Sequence, residues 1–229
     1  MGEKQFRPLD RAAEIVITER HLPHWFQADA AMFITFRTAD SLPREVLLRW
    51  QRELHDWLAS NHLPSDLAGS VAGRRATNHD DLLTQLTSKQ QRDFKKLSDQ
   101  FFHHSLDECH GACVLRRPEL QKIVAEAVRF YDDQKYDLDC FIIMPNHVHA
   151  IVQFRKGFDL NVVGQSWMRY TGREINKLID CKGAFWQAEP FDHIIRSDQQ
   201  FHYLRAYIEK NPEAANLPKT ATHYWTQGL

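Results

Sequence analysis

No stretch of this 229-residue sequence stays apolar for the roughly 18 residues that a bilayer-spanning helix needs. The opening Met1-Gly2-Glu3-Lys4-Gln5-Phe6-Arg7 also lacks the apolar core of a signal peptide, so a cytoplasmic protein with no membrane partner is expected. Cysteine is scarce. Cys109, Cys113, Cys140 and Cys181 are too few and too scattered for a disulfide framework, which agrees with a reducing compartment. His103, His104 and His110 lie near Cys109 and Cys113, but the spacing matches no usual closed zinc site. Excess charge is missing too. The 29 Lys and Arg against 30 Asp and Glu leave a net charge of -1. That argues against a protein that coats nucleic acid without specificity, since phosphate neutralisation needs clustered cations, and it leaves a local basic surface open. There is no internal repeat and no low-complexity tract. The 43% hydrophobic and 26% charged fractions suit a soluble globular chain long enough for its own core.

What is present is a set of alternating apolar patterns. Ala31 to Thr38 is rich in β-formers and predicts a first strand. Val46, Leu47, Trp50, Leu54, Trp57 and Leu58 recur at helical spacing after Ser41 and Pro43. His21 to Phe26 reads as a loop whose aromatics pack. Ser60 to Gln90 turns polar, with Pro64, Gly69 and Gly73 breaking any period, and is treated as a mobile or partly helical insertion, followed by a helix from Asp93 to Leu106. Pro118 opens a helix carrying Leu120, Ile123, Val124, Ala127, Val128 and Tyr131. A further helix is expected from Leu160 to Ile179, a strand from Phe191 to Arg196, and a helix begun by Ser197-x-x-Gln200 and ended at Pro212. The order fits an α+β fold, a ferredoxin-like antiparallel sheet with helices packed on it.

The chemistry concentrates in Asp139 to Phe154. An apolar run ends at Pro145-Asn146, and His147-Val148-His149-Ala150-Ile151-Val152 resumes a strand pattern, so His147 and His149 share one face. Two imidazoles at that spacing suit a divalent cation and leave coordination positions open. They would equally suit a half-exposed polar face, and His-x-His alone does not choose. Tyr207 and Asn211 are four residues apart, on one side of the last helix if its final turn persists. Beside a metal, a phenol and an amide oxygen would suffice for phosphoryl transfer; periodicity alone equally makes Tyr207 a core residue and Asn211 a helix cap. Arg155, Lys156, Arg169, Arg173, Lys177 and Lys182 outnumber Asp159, Glu174 and Asp180, which fits either a phosphate track or a solvated face.

These motifs together resemble those of the REP-associated tyrosine transposases, a branch of the HUH single-tyrosine transposase superfamily. The resemblance runs from about His21 to Leu217. It is carried by Leu22-Pro23-His24-Trp25, Phe33-Ile34-Thr35-Phe36-Arg37, Ser41-Leu42-Pro43, Met144-Pro145-Asn146-His147-Val148-His149, Ser166-Trp167, Ile175-Asn176, Phe185-Trp186-Gln187, Phe191-Asp192, Ile195-Arg196 and Tyr207-Ile208-x-x-Asn211-Pro212. It departs at Cys109-His110-Gly111, where the family often has Gly-x-Gly, and at Ser60 to Gln90, which has no counterpart.

The resemblance implies one HUH-type domain over residues 1–229 with an insertion at about 60–108. His147 and His149, with Asn211 as third ligand, would bind Mg²⁺ or Mn²⁺, and Tyr207 would be the nucleophile. Single-stranded DNA with hairpins, formed by repeated palindromes, would be cut and rejoined through a 5′-phosphotyrosine, with Arg155, Lys156, Arg169, Arg173 and Lys177 as DNA contacts. Two other readings stay open, a domesticated hairpin-binding protein that does not cut and a metal hydrolase using water. Nothing in the sequence chooses between a monomer and a homodimer.

Overall fold

The computed structural model describes residues 4–19, 23–64 and 85–227. The chain runs β1 (Val16–Glu19), β2 (Pro23–Phe26), β3 (Ala31–Arg37), α1 (Arg44–Ser60), α2 (Ser88–Asp107), α3 (Pro118–Arg129), β4 (Tyr136–Ile143), β5 (His147–Phe154), α4 (Leu160–Ile179), β6 (Phe191–Ile194), α5 (Asp198–Ala214) and β7 (His223–Thr226). A five-stranded sheet has the order β6-β3-β5-β4-β7 with every neighbouring pair antiparallel. Among β3, β4, β5 and β6 the order is fourth, first, third, second, the ferredoxin-like α+β arrangement expected from the sequence. No helix among the described residues is long and apolar enough to cross a membrane.

Strand alternation divides the core between the two sheet faces. Val148, Ala150 and Val152 of β5 face α3 and α4, where Leu120, Val124, Val128, Val163, Trp167 and Ile175 close the larger cluster. The opposite face carries Phe33, Cys140, Ile142 and Ile151 under Leu204 and Ile208 of α5. Each such side chain, once buried, contributes roughly 1.5–3 kcal/mol, so both faces are firmly specified. Between Leu138 and Cys140 the β4 register shifts, so Leu138 and Phe141 point to one face although they are an odd three positions apart. Asp139 at this bulge accepts the Gln227 N–H at 2.9 Å and its carboxylate lies 3.3 Å from Arg205 Nε, which ties β4 to the C-terminal strand and to α5.

Several elements differ from the sequence expectation. Pro23–Phe26 is a strand paired with Val16–Glu19, not a loop; residues 21 and 22 of the expected loop lie outside the described residues. The four residues of β2 show no alternation that tells a strand from a loop, and β7 escapes for the same reason, whereas β6 ends at Ile194 within the expected Phe191 to Arg196. Residues 65–84 of the expected insertion likewise lie outside the described residues. Helix α2 begins at Ser88, where Thr87 and Gln90 form a capping box, earlier than the apolar spacing shows. Helices α1 and α2 share a cluster of their own, with Trp50, Leu54 and Leu58 against Phe94 and Phe101, so both belong to one excursion between β3 and α3. Finally, α5 continues through Pro212 to Ala214, which makes Asn211 a helical residue. Proline loses only one backbone bond there, near the helix end where carbonyls are already unmet.

Candidate functional site

The tight turn at Pro145-Asn146 is closed by the Met144 N–H on His147 O at 2.8 Å, and it starts β5 with His147. His147 and His149 then project to the α5 side of the sheet, both with 0% exposure and with ring centroids 4.6 Å apart. Their placement is therefore not a half-exposed polar face. A buried polar group left unmet costs about 1–3 kcal/mol, and the chain meets this at Nδ1 of each ring. Asn146 Oδ1 lies 2.8 Å from His147 Nδ1, and Thr35 Oγ1 lies 2.7 Å from His149 Nδ1. Asn146 is itself fixed, because its Nδ2 donates to His110 O at 2.9 Å. With Nδ1 of both rings held in this way, Nε2 is the nitrogen each would offer to a metal ion.

Helix α5 brings the second half of the site. The Tyr207 ring stands edge-on to His149 at 5.4 Å and packs against Phe33 at 6.2 Å. Asn211 follows one turn later and is fully buried. Its Oδ1 has no hydrogen-bond donor among the described residues, which is the state of an acceptor suited to a cation. Two imidazoles and an amide oxygen are donors of the kind that a small divalent ion accepts. Burial pushes the Tyr207 phenol above its ordinary value, the charge of Asp107 adds to this, and the nearby Asn211 amide acts in the opposite direction. Tyr203, one turn before Tyr207 on α5, is 68% exposed, and Tyr170 belongs to α4, on the opposite side of the sheet.

The cations expected to contact DNA are not gathered around this site. Arg169, Arg173 and Lys177 belong to α4, whose apolar side covers the sheet face away from the histidines. Arg173 and Lys177 both pair with Glu174, at 2.8 and 3.1 Å, on the exposed side of the helix. Arg169 makes no ion pair among the described residues, and it lines a shallow groove with Tyr170 and Gln165. Arg155 pairs with Asp137 at 2.6 Å and with Asp133 at 3.7 Å; Lys156 is exposed beside it. Asp132, Asp133 and Asp137 place three carboxylates close together, a possible cation cluster, but Lys4 and Arg155 already offset their charge.

Three neighbours of the site were not foreseen. Thr35 faces His149 and Arg37 faces His147 across the β3–β5 ladder. Arg37 donates to Ser41 Oγ at 3.1 Å and lies 5.6 Å from the Phe102 ring of α2, while burial pulls its guanidinium down to about 10. Asp107, at the end of α2, accepts the Asn211 Nδ2 hydrogen at 3.0 Å, and burial pushes its carboxyl up. For Thr35 and Arg37 a signal existed, since both alternate with Phe33 on one face of the first strand. For Asp107 none did, because it lies 104 residues before Asn211 inside a segment read as an insertion.

No protein-family model matches the sequence, and no curated protein matches it. Among solved structures, that of the REP-associated tyrosine transposase bound to a REP hairpin is similar over 86% of this chain and 74% of its own, with 13% identity and a TM-score of 0.42. The likeness is distant and concerns the path of the chain.

Proposed function

We propose that this protein cleaves single-stranded DNA beside hairpins and rejoins it by strand transfer, with Tyr207 as nucleophile. The observation that carries the reading is the meeting of Tyr207 with His149 at 5.4 Å, His149 itself lying 4.6 Å from His147, with Asn211 one helical turn further on. The motif resemblance described for the sequence points the same way and supplies the substrate class. A Mg²⁺ or Mn²⁺ ion held by His147, His149 and Asn211 would polarise a non-bridging phosphate oxygen and offset the charge that develops during attack.

The chain's own residues account for the remaining steps. Tyr207 Oη forms a bond to phosphorus, and the bond from phosphorus to the 3′-oxygen of the preceding nucleotide breaks. The phenol proton passes to water, and the departing 3′-oxygen takes up a proton. Burial raises the phenol's pKa, so attack requires that Tyr207 give up its proton. The phosphotyrosine retains the energy of the broken bond, so a 3′-hydroxyl of another strand can displace Tyr207 without ATP. Both imidazoles are fully buried. Thr35 and Asn146 hold the two rings in place through their Nδ1 atoms.

The test is incubation of the protein with hairpin-bearing single strands and Mn²⁺. An SDS-resistant protein–DNA adduct that is absent from His147→Ala supports the reading. Hairpin binding without any adduct would indicate a non-cleaving binding protein, and cleavage without an adduct would indicate a hydrolase using water.

A further inference from the structure

The insertion has a physical link to the candidate centre, and its most direct part is one hydrogen bond. Helix α2 ends at Asp107, whose Oδ1 accepts the Asn211 Nδ2 hydrogen at 3.0 Å. Asp107 Oδ1 is the acceptor in this bond, so it is the nitrogen end of the Asn211 amide that faces it. The amide plane is thereby fixed, and Oδ1 is turned to the side away from Asp107. That oxygen is buried and meets no donor among the described residues. Without the carboxylate, the amide could turn over about its last torsion and present two N–H groups where a cation would need an oxygen.

The same helix makes a second contact on this side of the sheet. Phe102, just over one turn before Asp107, packs on Arg37, the cross-strand neighbour of His147. Helix α2 is anchored from behind by Phe94 and Phe101, one in each half, against Trp50 of α1. Arg49 of α1 adds a pair with Glu108 at 2.8 Å, directly after Asp107. The α1–α2 excursion therefore holds Asp107 from two sides, and this rigidity is what a group that orients another requires.

We propose that Asp107 is a positioning residue for Asn211, so that the insertion completes the metal-binding centre instead of decorating the fold. The inference rests on the reading of His147, His149 and Asn211 as ligands. Partners that orient a ligand typically govern about 10- to 100-fold of metal affinity. Asp107→Asn is the conservative variant, because the new amide oxygen can accept the same hydrogen. Asp107→Ala removes the acceptor.

The experiment compares wild type, Asp107→Asn and Asp107→Ala by two readouts, with melting temperatures to confirm folding. The first is the side-chain amide signal of Asn211 in ¹H–¹⁵N spectra of metal-free protein, assigned by its loss in Asn211→Asp. It is expected to be protected from solvent exchange in wild type and Asp107→Asn, and to lose that protection in Asp107→Ala. The second is Mn²⁺ affinity by calorimetry, expected to fall about 10-fold or more in Asp107→Ala and to stay within about 2-fold in Asp107→Asn. An Asp107→Ala protein with wild-type amide protection and wild-type Mn²⁺ affinity overturns the proposal. Equal loss of affinity in both variants also overturns it, since the charge of Asp107 and not its acceptor would then matter. If wild type binds no Mn²⁺ at all, the metal reading fails by itself, and the amide signal still decides whether Asp107 orients Asn211.

Discussion

Thr35 Oγ1 lies 2.7 Å from His149 Nδ1, and the two residues face each other across the β3–β5 ladder. Both are buried, so the bond is shielded from water and holds the imidazole in one orientation. Thr35→Val keeps the branched shape and removes the oxygen. We expect a stability loss of about 1 kcal/mol, read by denaturant unfolding, and an Mn²⁺ affinity weakened about 10-fold by calorimetry. Unchanged affinity would mean that His149 needs no such support, or binds nothing.

The basic segment offers a separate test. Arg169, Arg173 and Lys177 lie on the far side of the sheet from Tyr207, so any contact they make with DNA is outside the candidate centre. Replacing all three by Gln should lower the slope of log affinity against log salt by about 2, at roughly 0.7 per single-strand phosphate released. The pairing of Arg173 and Lys177 with Glu174 works against a full effect. A slope identical to wild type would assign these residues to solvent alone.

Stability should respond to pH through His223. Burial, and to a lesser degree the nearby Arg129, push its pKa below the ordinary 6.5. The folded state therefore favours the neutral ring. The stability so gained is fully present above about pH 6.5 and is lost as pH falls through the lowered value, since the unfolded chain binds the proton more readily. His223→Phe keeps an aromatic ring where His223 stacks on Phe141 at 6.0 Å. The melting-temperature advantage of His223→Phe over wild type should grow between pH 7 and pH 5. A difference independent of pH would show that His223 titrates alike in both states.

The parts of the structure that were legible in the sequence are those with a long repeated pattern. The 20 residues of α4 were bounded correctly, and the His147/His149 face followed from alternation alone. His223–Thr226 holds at most two alternations and is fixed by pairing with β4, which no local pattern records. The Thr87–Gln90 capping box was written in the sequence but lay in a stretch read as irregular. Burial of both imidazoles depends on what covers the sheet face, and that cover comes from elements far apart in the chain. The Asp107–Asn211 bond is the extreme case, a contact between two elements with no shared period and no sequence proximity.

The central claim is that Tyr207 attacks the phosphate, and its most direct measurement is covalent capture by the Tyr207→Phe variant. The substitution removes one oxygen and leaves the ring to pack on Phe33 and His149, so the fold and hairpin binding should persist. Wild type, Tyr170→Phe and Tyr203→Phe are each incubated with a labelled hairpin-bearing single strand and Mn²⁺ beside it. An SDS-resistant adduct in those three and none in Tyr207→Phe is the expected result. An adduct that survives in Tyr207→Phe would contradict the assignment.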